Sequence, residues 1–209
     1  QFAEGNSMRV LALARVPVRR ARFELVLGEA QGAFNRATAA VAYLEKLVID
    51  PKDRFGKRVH DNVLQLALGT VSDSALRLGR YADAEAASRK RVALPLSPFD
   101  NPVADKAYRQ VQLASALAYQ GRGAEALTTL APALEYYANE KKVGAGDTKF
   151  RLDYAEALLA SALAQAPDAA GRAARLRTLA EADAELAGAS AGARQLSATR
   201  VISSRIDAA

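Results

Sequence analysis

Apolar residues recur along most of this chain at spacings of three and four, the period of a helix buried along one side. The clearest run is Val63, Leu64, Leu66, Ala67, Val71, Ala75, Leu76 and Leu78, which predicts a helix over 59–78, closed by Gly79. Further helices are predicted over 81–94, 105–120, 124–139, 149–165 and 171–186. Glycine or proline interrupts the pattern between them, at Gly121, Pro95, Pro98 and Pro167. Pro132 falls inside the fourth of these helices and is expected to kink it or shift its start. Before Asp50-Pro51 the pattern is less regular. It predicts a short helix from Met8 to Arg15 ended by Pro17, then helices over 18–31 and 33–49, or one helix interrupted near Gly28 and Gly32. Residues 52–60 read as a charged connector and 191–206 as a capping helix.

Two stretches are near-copies. Leu113-Ala114-Ser115-Ala116-Leu117-Ala118 returns 46 residues later as Leu159-Ala160-Ser161-Ala162-Leu163-Ala164. Repetition at this period marks a stacked-repeat architecture, in which each unit buries its apolar face only against its neighbours. Few β-branched runs occur, so a large sheet is not expected. The expected fold is all-α.

The turns Leu78-Gly79-Arg80-Tyr81-Ala82-Asp83-Ala84 and Gln120-Gly121-Arg122-Gly123-Ala124-Glu125-Ala126 resemble the turn of the tetratricopeptide repeat. Their glycines lie 42 residues apart, longer than the usual period of about 34. The resemblance implies a right-handed stack of antiparallel helix pairs, a single domain over 1–209. Its repeats fall at about 60–98, 104–142 and 149–187, with a degenerate pair at 18–50 centred on Gly32 to Ala37. Leu113-Ala114 and Leu159-Ala160 match the large-small pair of the first helix, and Ala133 and Ala180 a small position on the second. The first repeat departs from the pattern with Val71-Ser72 and with Arg91 in place of alanine. The third lacks the turn glycine, and no tryptophan occurs anywhere.

The resemblance also implies a concave groove that receives a peptide or helix of a protein partner. Its positions would be Leu66, Gly69, Asp73, Leu76 and Arg77 in the first repeat. In the second they would be Tyr108, Val111, Ser115 and Tyr119, and in the third Tyr154, Ala157, Ser161 and Gln165. A regulatory or ligand-sensing domain of a larger signalling or envelope-associated protein is the alternative, and a homodimer stays open. The sequence begins with Gln1 rather than methionine, so it reads as a processed or truncated chain.

Composition narrows the chemistry. With no cysteine, thiolate catalysis, disulfides and thiolate zinc sites are excluded, while cytoplasm and periplasm both remain open. His60, the single histidine, stands beside Asp61 and reads as a helix-start residue rather than a catalytic base. No metal-ligand spacing, cofactor motif or enzyme activity is expected, and no apolar run approaches the length of a membrane span. The loop Val143-Gly144-Ala145-Gly146-Asp147-Thr148-Lys149 lacks the ending of a phosphate-binding loop; Asp147 or Thr148 should cap the next helix. The net charge of +6 gathers in clusters: Arg15, Arg19, Arg20 and Arg22; Arg54, Lys57 and Arg58; Arg89, Lys90 and Arg91; Arg172, Arg175 and Arg177. Without an accompanying nucleic-acid motif these read as solvated helix faces, so a nucleic-acid partner is not expected.

Overall fold

The computed structural model describes residues 6–96, 101–144 and 146–189. Among them are eight helices and no strand: α1 Asn6–Val26, α2 Ala30–Lys46, α3 Arg54–Arg77, α4 Tyr81–Ala93, α5 Pro102–Tyr119, α6 Gly123–Lys142, α7 Thr148–Ala164 and α8 Ala169–Gly188. Neighbouring helices pack in sequence order. The chain divides into two compact units, Gln1–Asp105 and Lys106–Ala209, one turn into α5. The expected capping helix at 191–206 lies outside the described residues.

Three of the turns share one geometry. Gly28, Gly79 and Gly121 have φ of +88°, +71° and +75°, the left-handed conformation that glycine adopts without steric cost. After each glycine, the next residue's N–H reaches back across the helix end: Glu29 to Glu24, Arg80 to Ala75 and Arg122 to Leu117, at 2.8, 2.9 and 3.0 Å. Each glycine N–H donates three residues back, to Leu25, Leu76 and Ala118. These bonds satisfy carbonyls that a helix end otherwise leaves open. The degenerate first pair is therefore hinged at Gly28, four residues before the Gly32 that the sequence suggested.

Aligned on these glycines, the buried positions coincide. Ala33, Ala84 and Ala126 follow their glycine by five residues and are all fully buried. Ala21, Ser72 and Ala114 precede it by seven and are equally buried. Small residues there let the helix backbones approach closely. In the last pair α8 carries the small residue at Ala182, which is buried; Ala180, the expected position, is exposed. The turn that replaces the glycine accounts for this two-residue shift. Asp168 caps α8 through the Gly171 N–H at 2.7 Å, and a side chain at Gly171 would collide with the Ala166 carbonyl.

Side-chain contacts give the helix directions. The short turn from Arg77 to Tyr81 joins α3 to α4, and Gln65, midway along α3, donates to the Pro95 carbonyl beyond the far end of the shorter α4, so the two run antiparallel. Arg77 at the end of α3 reaches the Leu25 carbonyl near the end of α1 at 2.5 Å, so α1 and α3 run the same way. In the second unit Arg151, early in α7, meets Glu185, late in α8, at 3.0 Å. Tyr137, late in α6, packs edge-on against Phe150, early in α7.

Several boundaries differ from expectation. α1 runs through Pro17, because Ala14, Val18, Ala21 and Leu25 form a continuous buried stripe across it. Burial along two turns offsets the interior-proline penalty of about 3 kcal/mol. α6 runs through Pro132, inside the helix expected over 124–139, and begins at Gly123 with its start not shifted by the proline. α3 begins at Arg54, inside the expected connector, since Asp53 accepts the Gly56 N–H at 2.7 Å. Asp147 caps α7 through Phe150 at 2.8 Å.

The departures of the first repeat compensate each other. Ser72 and Ser88 stand where the second pair has Ala114 and Leu130, and their hydroxyls bond to each other at 2.7 Å in the interior. Arg91 replaces the small residue found at Ala40 and Ala133, and Gly69 replaces the valine found at Val18 and Val111. A Cβ on Gly69 would lie 3.0 Å from the Arg91 Nη1, so the glycine makes the room that the arginine fills. Arg91 in turn pairs with Asp105 at 3.2 Å. Gly69→Val should therefore destabilise the native chain by about 1–3 kcal/mol. With Arg91→Ala already present the same change should cost clearly less, read as non-additivity in urea unfolding. Additive losses would contradict this exchange.

Candidate functional site

The implied groove positions form one stripe per first helix, at intervals of seven and eleven residues: Leu66, Asp73 and Arg77 on α3; Tyr108, Ser115 and Tyr119 on α5; Tyr154, Ser161 and Gln165 on α7. That spacing keeps a stripe on one helix face. Burial separates its members. Leu66, Asp73, Leu76, Arg77, Tyr108, Tyr119 and Gln165 are half-buried, while Gly69, Val111, Ser115, Tyr154, Ala157 and Ser161 are buried. α5 and α7 are enclosed over most of their length, so the buried members serve packing. The sequence pattern could not separate the two classes, because both faces of these helices are apolar.

In the second unit Lys149 lies over the Tyr108 ring, 5.8 Å from its centroid. The Ser115 hydroxyl, buried between the two half-buried tyrosines of its stripe, has no hydrogen-bond partner among the described residues. Tyr154 is a packing residue. Its ring stacks on Tyr137 with centroids 5.6 Å apart, and its hydroxyl donates to Glu181 at 3.0 Å. Burial, and then the Glu181 bond, push its phenol well above the ordinary tyrosine range. Burial does the same for Tyr137.

Beside this aromatic cluster Glu185 is buried on α8. It accepts from Lys141 of α6 at 2.6 Å and from Arg151 of α7 at 3.0 Å. The Glu185 bond holds the Lys141 ammonium above its usual range. This network ties three helices together, and no local spacing announced it: its members lie far apart in sequence. A second buried carboxylate, Glu24, occupies the position of Ala75 and Leu117 in the turn alignment. Arg36 holds it at 2.9 Å and Arg20 at 3.1 Å. The Arg36 hydrogen bond, the larger cause, and the Arg20 pair lower the carboxyl below its ordinary value of 4.5.

Several members of the basic clusters are bonded within the fold. Lys57 pairs with Asp61 at 3.1 Å, Arg89 with Glu85 at 2.8 Å and Lys90 with Glu45 at 2.6 Å. Arg175 donates to the carbonyls of Ala162 and Gln165 at 3.1 and 3.3 Å. His60 bridges α2 and α3: Nε2 lies 2.9 Å from the Leu44 carbonyl oxygen and Nδ1 3.2 Å from Asp61. No group of three or more His, Asp or Glu side chains among the described residues is placed to hold a metal ion. No helix among them is long and apolar enough to cross a membrane. Neither family models, curated proteins nor solved structures yield a match to this chain.

Two outcomes follow from this geometry. Tyr154→Ala should cost about 3 kcal/mol of stability. Tyr108→Ala and Tyr119→Ala should cost about 1 kcal/mol each. Thermal unfolding of the three variants checks the ranking, and equal losses would return Tyr154 to the open surface. Because the folded carboxyl of Glu24 is lowered, its contribution is complete above the ordinary carboxylate range and fades as pH falls through the folded value. Between about pH 6 and about pH 3.5 the native chain should lose stability more steeply than Glu24→Gln. Parallel profiles in urea unfolding would refute the pairing.

Proposed function

We propose that this chain is a protein-interaction module of the tetratricopeptide type, holding a peptide or helix of a partner protein along the first helices of its pairs. The observation that carries the reading is the triple recurrence of one turn, at Gly28, Gly79 and Gly121, with small buried residues at the same offsets. A scaffold built by repetition presents equivalent side-chain rows rather than one enclosed catalytic pocket. The half-buried row of the second unit, Tyr108 and Tyr119, combines apolar contact area with hydroxyls, which suits a peptide of mixed character.

The test uses Tyr108 and Tyr119 because they are accessible and Tyr154 is not. A photoreactive phenylalanine analogue at either position should cross-link a defined partner in the source cell. Tyr108→Ala with Tyr119→Ala should abolish capture while the thermal midpoint stays within a few degrees, as a change of about 1 kcal/mol per site implies. Capture that survives both substitutions would overturn the assignment of this row.

A further inference from the structure

One apolar helix face is uncovered. Leu13, Val16 and Phe23 of α1 and Leu27, just beyond its end, are 65, 68, 70 and 73 % exposed. Counted from the turn glycine, they occupy the same positions as Leu64, Ala67 and Ser74 of α3 and Leu78 at its C-terminal cap. There Leu64, Ala67 and Ser74 are buried and Leu78 half-buried. They share their face with His60, which docks onto the Leu44 carbonyl of α2. The α3 face is thus the one laid against the preceding helix pair. α1 presents the same face, with larger side chains, to solvent. An exposed stripe of this kind marks an interaction site.

Beside the stripe runs a row of exposed arginines, Arg15, Arg19 and Arg22, at helical intervals of four and three. None of them pairs with a carboxylate among the described residues, whereas Arg20, within the stripe, is engaged by Glu24. In two other clusters Lys57, Arg89 and Lys90 are paired with carboxylates. An unpaired cationic row along an apolar stripe calls for an anionic row along the occupant. Antiparallel self-pairing through α1 would set two arginine rows side by side, which disfavours a second copy of this chain.

We infer that the outer face of α1 docks an amphipathic helix of a partner protein, seated as α2 is seated on α3, with glutamate or aspartate along the edge facing Arg15, Arg19 and Arg22. The occupant is a helix rather than a bilayer because the equivalent face of α3 is covered by helices. The site is distinct from the tyrosine row of α5, so it stands or falls separately from the groove.

The test uses the full chain and designed helical peptides. One has a leucine stripe flanked by glutamates, and its counterpart has the glutamates replaced by lysines. Fluorescence anisotropy should show the glutamate peptide binding about tenfold more tightly than the lysine peptide. Reversing the row with Arg15→Glu, Arg19→Glu and Arg22→Glu should invert that preference, and Phe23→Asp should weaken both peptides. Phe23 is exposed, so circular dichroism should show unchanged helicity in that variant. Equal binding of the two peptides, or a preference that survives the reversal, overturns the inference. So does binding to phosphatidylglycerol vesicles without binding to the glutamate peptide, which would make α1 a membrane face. A dimer in sedimentation that Phe23→Asp dissolves would assign the face to self-association and overturn it equally.

Discussion

Close approach of helix backbones at a few small residues is the constraint on which this architecture depends. Ala33, Ala84 and Ala126 are fully buried at one offset from a left-handed glycine, and Ala21, Ser72 and Ala114 at another. The glycine reverses the chain, and the small residues let the returning helix lie against the one it left. A larger side chain at any of these positions would push the helices apart and expose the leucines and valines around them. The alanine-rich composition is thus a consequence of packing geometry as well as of helix propensity.

Where the chain departs from apolar packing, it does so in matched sets. Ser72 and Ser88 bond to each other inside the first unit, and Gly69 clears the space that Arg91 occupies. Glu24 meets Arg36 and Arg20, and Glu185 meets Lys141 and Arg151. Buried polar groups are tolerable only when their partners are present, because the low dielectric of the interior raises the cost of leaving one unpaired. Each set joins different helices and so penalises a slip in register that alanine contacts alone would permit. The carboxylates serve this purpose twice, once in each unit.

The reading of the tyrosines shows where pattern ends. Tyr108 and Tyr154 each stand five residues before a duplicated segment, and nothing in their spacing distinguishes them. Tyr108 is half-buried beneath Lys149, while Tyr154 is stacked on Tyr137 and bonded to Glu181. The difference arises from α6 and α8, which supply the stacking ring of Tyr137 and the Glu181 carboxylate that bonds the second tyrosine. A similar comparison distinguishes α1 from α3. Three of the four equivalent positions are apolar in both segments, with Ser74 facing Phe23 in the alignment, yet those of α3 are covered and those of α1 exposed.

Local chemistry settled the number, order and approximate limits of the helices between residues 59 and 189, because glycine, proline and capping aspartates act over a few residues. It also settled two of the three matching turns and the small residues beside them. The tertiary structure alone decided that α1 passes through Pro17, since the buried stripe across it outweighs the missing backbone donor, and that Pro132 does not shift the start of α6. It alone placed Gly28 as the first hinge, paired the distant charges, and separated enclosed groove positions from accessible ones. Those properties depend on which helix lies against which, and helical periodicity identifies an apolar face without naming what covers it.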